Sequence, residues 1–135
     1  EEIAIKKIKN DKFVKQQCCT DLGKDVRVYI IGNKVVAAVL RTSEKSFKSN
    51  YSLGGNVSLY DLNETERKYV DTITQMLPMD FAAIDFIFNN GQAAFNEIED
   101  AAGARMLYSI SDIDIVKMQV EYMMKELKKS CIAKN

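Results

Sequence analysis

The stretch "IDFIFNNGQAAFNEIEDAAG", residues 84–103, decides how the chain is read. Apolar runs flank an Asn-Asn-Gly turn, which predicts an antiparallel hairpin with strands near 80–88 and 93–100. Asp85, Glu97, Glu99 and Asp100 interrupt the apolar residues. A buried carboxylate without a partner is costly, so these acids need water, a cation or a basic partner. Residues two apart in a strand share a face, so Glu97 and Glu99 point the same way, with Cα atoms roughly 6.5–7 Å apart. Pairing Phe88 with Ala94 would set Asp85 directly opposite Glu97. That register demands an odd number of residues in the loop, because an even loop would turn Asp85 to the other face. Three carboxylates then converge on one face. Oxygen ligands without His or Cys suit Mg²⁺ or Mn²⁺. Spacing alone equally allows a solvent-facing strand with scattered acids.

The 135 residues suffice for one domain with its own core. With 19 basic and 19 acidic residues the formal charge is zero, so nucleic acid is not an expected partner on bulk electrostatics. There is no membrane-length apolar run and no signal peptide. The three cysteines Cys18, Cys19 and Cys131 do not suit a disulfide framework, which points to a reducing cytoplasm. The absence of His removes His-based triads and zinc sites from these residues. The chain opens without Met and as though already inside a helix, and is expected to be a piece of something longer.

Residues 1–9 read as a helix and 12–18 as a strand. A hairpin is predicted over 26–31 and 34–41 about Gly32-Asn33. Residues 43–56 read as a loop, or a short strand followed by one. Asn63 and Glu66 form a capping box opening a helix that Pro78 ends, with Tyr69, Val70, Ile73 and Leu77 on its apolar face. A last helix is predicted from near Ser111 to about Lys128, with Ile115, Met118 and Tyr122 on its apolar side. The expected class is α+β, a mostly antiparallel sheet with helices packed on one face. A second constellation is basic and polar: Lys15, Arg27, Lys34, Arg41, Lys48 and Asn50. It reads as a solvated face or, more sharply, as an anion site using the planar donor forks of arginine. Carboxylates for Mg²⁺ beside phosphate-directed arginines are the equipment of nucleotide phosphoryl transfer.

Five segments in order carry a family resemblance. They are "VKQQCC" (14–19), "GKDVRVYIIGNKVVAAVLR" (23–41), "FKSNYSLGG" (47–55), "AAIDFI" (82–87) and "FNEIED" (95–100). Together they resemble the C-terminal half of an ATP-grasp domain of the RimK type of amino-acid ligase, over about residues 12–128. The resemblance implies an ATP-dependent carboxylate–amine ligase working through an acyl-phosphate, with ATP and Mg²⁺ (or Mn²⁺) as cofactors. Its substrates would be a carboxylate and an amine, from an amino acid or a peptide terminus. Asp85, Glu97 and Glu99 would be metal ligands, Glu99 standing where the family usually has Asn. Arg41 and Asn50 would be catalytic, Arg41 at the phosphates or acyl-phosphate. Lys48 and Arg27 would contact phosphate or substrate. Backbone groups around Gln17, Cys18 and Cys19 would hold the adenine edge, and Asp21 the ribose hydroxyls. Asp25 would be partly structural. Cys18-Cys19 and "EDAAG" (99–103) depart from the family pattern. The family's phosphate-binding Lys and glycine-rich lid would precede residue 1, so residues 1–135 alone are expected to be inactive. The sequence is compatible with a homo-oligomer. Two alternatives remain at this point: a non-catalytic β-rich interaction module, and an ATP-grasp enzyme of another reaction type.

Overall fold

The computed structural model describes residues 17–44, 55–100 and 102–132. The expected helix over 1–9 and most of the expected strand over 12–18 lie outside these residues. Gln17 and Cys18, its described end, have no regular structure.

Five strands form one antiparallel sheet: β1 (Lys24–Ile31), β2 (Lys34–Thr42), β3 (Asn56–Leu59), β4 (Phe81–Asn89) and β5 (Gln92–Glu99), in the order β3-β2-β1-β4-β5. Three helices accompany it: α1 (Glu64–Met76), α2 (Arg105–Ile110) and α3 (Ile115–Ile132). The α+β class and the antiparallel sheet are as expected. The helices, expected on one face, cover both. Val26, Val28, Ile30, Ile84, Phe86 and Phe88 meet Val70 of α1 in one core. Tyr29, Ile31, Val39 and Ala83 meet Met106 and Leu107 of α2 and Ile115 of α3 in the other. The physical reason lies in β1, which is buried from Asp25 to Ile31 and therefore needs cover on both sides.

Both hairpins turn through two residues with positive φ, Gly32-Asn33 (55° and 62°) and Asn90-Gly91 (52° and 73°). This backbone matches the twist of the strands that it joins. The second hairpin corrects the expected register. Phe88 pairs with Ala93, not Ala94, and the loop is even. A bulge then adds Asn96 to β5, so that Phe86 pairs with Phe95 while Asp85 pairs with Glu97. The extra residue restores the parity that the turn removes. Asp85 and Glu97 are direct partners by a different route from the one predicted.

The capping box of α1 is present. Asn63 Oδ1 accepts from Glu66 N–H at 2.9 Å, and a Glu66 oxygen accepts from Asn63 N–H at 2.9 Å. Its buried positions are Glu66, Val70 and Thr74. Tyr69 and Leu77, expected inside, are half exposed. The strand near the Gly-Gly pair follows the glycines, as β3 on the β2 edge. The predicted last helix corresponds to α3, which starts at Ile115 rather than near Ser111, and α2 before it was not predicted. Ser111 ends α2, and the Asp114 carboxylate accepts from Lys117 N–H at 3.0 Å, so α3 starts after that cap. Among the described residues no helix is long and apolar enough to cross a membrane.

The first turn is held from outside. Met79 N–H donates to Asn33 Oδ1 at 2.6 Å, and the Tyr122 hydroxyl donates to Asp80 at 2.6 Å. A Cβ added to Gly32 would lie 2.4 Å from the Tyr122 ring. Gly32→Ala should therefore destabilise the fold by more than the roughly 1–2 kcal/mol of a left-handed backbone alone. Thermal melts should show the extra penalty shrinking in a Tyr122→Ala background.

Candidate functional site

On one face of the sheet, β1 is charged at its start and apolar at its end. Asp25 and Arg27 precede Tyr29 and Ile31 along it. Register sets their neighbours: Asp25 lies opposite Arg41 of β2, and Arg27 opposite Asp85 of β4. Asp85 lies opposite Glu97 of β5. These residues, with Glu99, Asp100 and Arg105, line a cavity of about 600 Å³.

The charges are joined. Arg27 donates through Nε to Asp85 Oδ1 at 2.9 Å and through Nη2 to Asp85 Oδ2 at 2.8 Å. Arg41 Nη2 donates to the same Asp85 Oδ2 at 2.8 Å and to Asp25 Oδ2 at 2.9 Å, while its Nε meets Asp25 Oδ1. Arg27 Nη2 also contacts Glu99 Oε2. The resulting chain runs Asp25, Arg41, Asp85, Arg27, Glu99. Asp85 is 2% exposed, whereas Glu97 is open to solvent.

Burial works against the charge on Arg41. Its hydrogen bond to Asp25 and the charges of Asp85 and Asp25 outweigh that effect and raise its pKa above the ordinary arginine value. Arg27 behaves alike: burial opposes its charge, and the hydrogen bond and charge of Asp85, then Glu99, more than compensate. Both remain cations. Burial pushes the Tyr29 phenol up to about 12, so its hydroxyl stays protonated and donates to the Gly103 carbonyl at 2.8 Å. That bond anchors the segment leading from β5 into α2 beside the cavity.

The structure thus brings together Arg27, Arg41, Asp85, Glu97 and Glu99. It places Asp21 elsewhere: its carboxylate accepts from Gly91 N–H at 2.7 Å, at the β4–β5 turn. Thr20 ties the same turn, accepting from Asn90 N–H at 2.6 Å. Gln17, Cys18 and Cys19 precede this tie and do not line the cavity. Lys15, Lys48 and Asn50 lie outside the described residues, and Lys34 sits exposed beside the Gly32-Asn33 turn. Sequence reasoning missed Arg105, which lines the cavity from the start of α2. Its position two residues after Gly103, in a segment with no regular pattern, gave no signal. The linkage of the basic and acidic groups was also missed. Opposite charges in strands that are otherwise apolar were the available signal, since buried charges require partners.

The donor set suits a hard divalent cation, being oxygen only, with Asp85 and Glu97 as cross-strand neighbours. Among the described residues no three carboxylates stand ready as a metal cage. The arginines hold the Asp85 oxygens instead. A cation at Asp85 and Glu97 would therefore exchange with guanidinium contacts.

The sequence matches the RimK-like ATP-grasp domain family over residues 2–123. A probable alpha-L-glutamate ligase 2 of Hahella chejuensis is 29% identical over 125 residues, covering 92% of this chain and 41% of that protein. An uncharacterized protein of Mycoplasma genitalium is 34% identical over 108 residues, covering 78% of this chain and 38% of that protein. The chain thus spans about two fifths of the length of these relatives. The fold resembles the ATP-grasp ligase PsnB, solved with a phosphomimetic variant of its minimal precursor, Mg and ADP. The TM-score is 0.63 at 17% identity, over 83% of this chain and 34% of that one. It also resembles a D-alanine–D-alanine ligase from Bacillus anthracis complexed with ATP. There the TM-score is 0.57 at 12% identity, over 96% of this chain and 49% of that one.

Proposed function

The chain belongs to the RimK-like ATP-grasp family, and on that premise we propose that its cavity is the cation- and phosphate-facing part of the ATP site of a carboxylate–amine ligase. The observation that carries this reading is the cross-strand pair Asp85 and Glu97 set beside Arg27 and Arg41 in one cavity. In the reaction, a substrate carboxylate oxygen takes the γ-phosphoryl group of ATP and ADP leaves. The amine then attacks the acyl carbon, inorganic phosphate departs, the amine loses a proton and an amide remains. The relatives named as glutamate ligases, and a structural neighbour solved with a precursor, favour an amino acid or peptide as substrate.

Asp85 and Glu97 would hold Mg²⁺, with Glu99 as a third oxygen donor. The ion would supply charge neutralisation at the phosphates. Arg27 and Arg41 present planar donor forks suited to phosphate oxygens. Both keep their charge at any working pH, so they can stabilise negative charge without a proton transfer. Asp25 aims Arg41 and Glu99 aims Arg27. Tyr29, through Gly103, fixes the loop that closes one side of the cavity. This reaction needs no covalent nucleophile, so Cys18 and Cys19 are not called on for that role. Asn50 and Lys48 would complete the phosphate contacts. Asp21 and the backbone near Gln17, Cys18 and Cys19 are retained as nucleoside contacts in this proposal.

Calorimetric titration of the intact parent protein with ADP, with and without Mg²⁺, tests the reading. Mg²⁺-dependent binding is expected, and Arg41→Ala should mainly weaken it. A protein that bound neither ion nor nucleotide would be an interaction module rather than part of a ligase.

A further inference from the structure

We propose that Arg27 and Arg41 are exchangeable counter-ions of Asp85, surrendered to phosphate when a divalent cation takes the carboxylate, so that cation and polyphosphate bind cooperatively. The proposal rests on the ATP-site reading above and adds its regulation.

The first reason is occupancy. A carboxylate offers about four lone-pair directions, and three at Asp85 already accept from guanidinium groups. With the residue almost fully buried, little of Asp85 is left for a cation to approach. An ion at Glu97 finds the cross-strand Asp85 oxygens already held by two guanidinium groups.

The second reason is that each arginine has another place to rest. Arg41 keeps two contacts to Asp25 after leaving Asp85. Arg27 keeps Glu99. Neither is orphaned when Asp85 changes partner, so the exchange avoids the large cost of an unpaired buried charge. Charge supports the same conclusion. Asp25, Asp85, Glu97, Glu99 and Asp100 face Arg27, Arg41 and Arg105 around the cavity, five acids against three bases. One divalent cation balances that excess.

The sign of the coupling follows. Phosphate oxygens attract the guanidinium forks and so lower the cost of vacating Asp85. A cation on Asp85 in turn frees the forks for phosphate. Thermodynamic linkage makes the two effects equal in magnitude.

Mn²⁺ binding followed by electron paramagnetic resonance, and ADP binding by calorimetry at zero and saturating Mn²⁺, measure both arms on the intact parent protein. Wild-type protein should bind Mn²⁺ weakly without ADP, and ADP should bind about tenfold or more tightly with the ion present. Arg27→Gln should raise the ADP-free Mn²⁺ affinity by about tenfold and shrink the coupling, within the range typical of linked sites. The double variant Asp25→Asn/Arg41→Gln removes a matched pair and should act the same way, which keeps the test valid if the single variant folds poorly. Unchanged Mn²⁺ affinity in both variants, or ADP affinity independent of the ion, overturns the exchange and leaves the ATP site standing. Failure of the wild-type protein to bind either ADP or Mn²⁺ overturns the site reading and the exchange together.

Discussion

Asp85→Ala should destabilise the folded chain by about 3–5 kcal/mol, the usual penalty for removing one partner of a buried ion pair. The side chain of Asp85 is 3% exposed and holds two guanidinium groups. Its removal leaves Arg27 and Arg41 to Glu99 and Asp25, each with one strong contact set fewer, and opens space in a packed strand. Asp85→Asn should cost less, because an amide oxygen can still accept from Arg27. Urea denaturation with an unchanged slope measures the difference. A loss below about 1 kcal/mol for the Ala variant would place Asp85 among ordinary polar positions and would contradict the network described here.

Glu97→Gln should do the reverse. The side chain is exposed and forms no ion pair among the described residues, so stability should stay within about 0.5 kcal/mol. On the proposed reading, ligase turnover of the intact parent protein should nevertheless fall by about 10²–10³-fold, the scale set by losing several kcal/mol of metal-assisted charge stabilisation. The two carboxylates are direct cross-strand partners, yet on the proposed reading one would serve mainly the fold and the other mainly the chemistry. Equal stability losses for both variants, or full turnover in Glu97→Gln, would refute that division. Comparing melts with Mg²⁺-dependent phosphate release separates the outcomes.

Much of this arrangement could be read from residue order. Gly32-Asn33 and Asn90-Gly91 announce their hairpins, because few residues adopt positive φ and these do. Asn63 and Glu66 announce the start of α1 by a hydrogen-bond pattern confined to four consecutive residues. Such signals are local and survive without knowledge of the fold. Others were not local. Arg27 and Asp85 meet only because β1 and β4 are neighbours, although 58 residues separate them in the chain. Strand order had to be known before the basic and acidic groups could be joined. The helices on both faces were signalled by Tyr29 and Ile31, apolar residues on the same face as Arg27. The alternation of β1 suggested one wet side, whereas only the end near Asp25 is polar. The start of α3 depends on Asp114, which accepts from Lys117 N–H, whereas Ser111, expected near that start, ends α2 and donates back to the Leu107 carbonyl.

Asn96 has a consequence for how sequences of this kind can change length. An even turn with one surplus residue downstream has the same parity as an odd turn without it. A relative that gains a residue between Asn90 and Gly91 and loses Asn96 would still present Glu97 and Glu99 to Arg27. Loss of Asn96 alone would remove the bulge and leave Glu97 next after Phe95, still opposite Asp85 across the same even turn. The bulge therefore makes the spacing between Asp85 and Glu97 tolerant: a chain with or without a residue at position 96 can bring the two acids face to face.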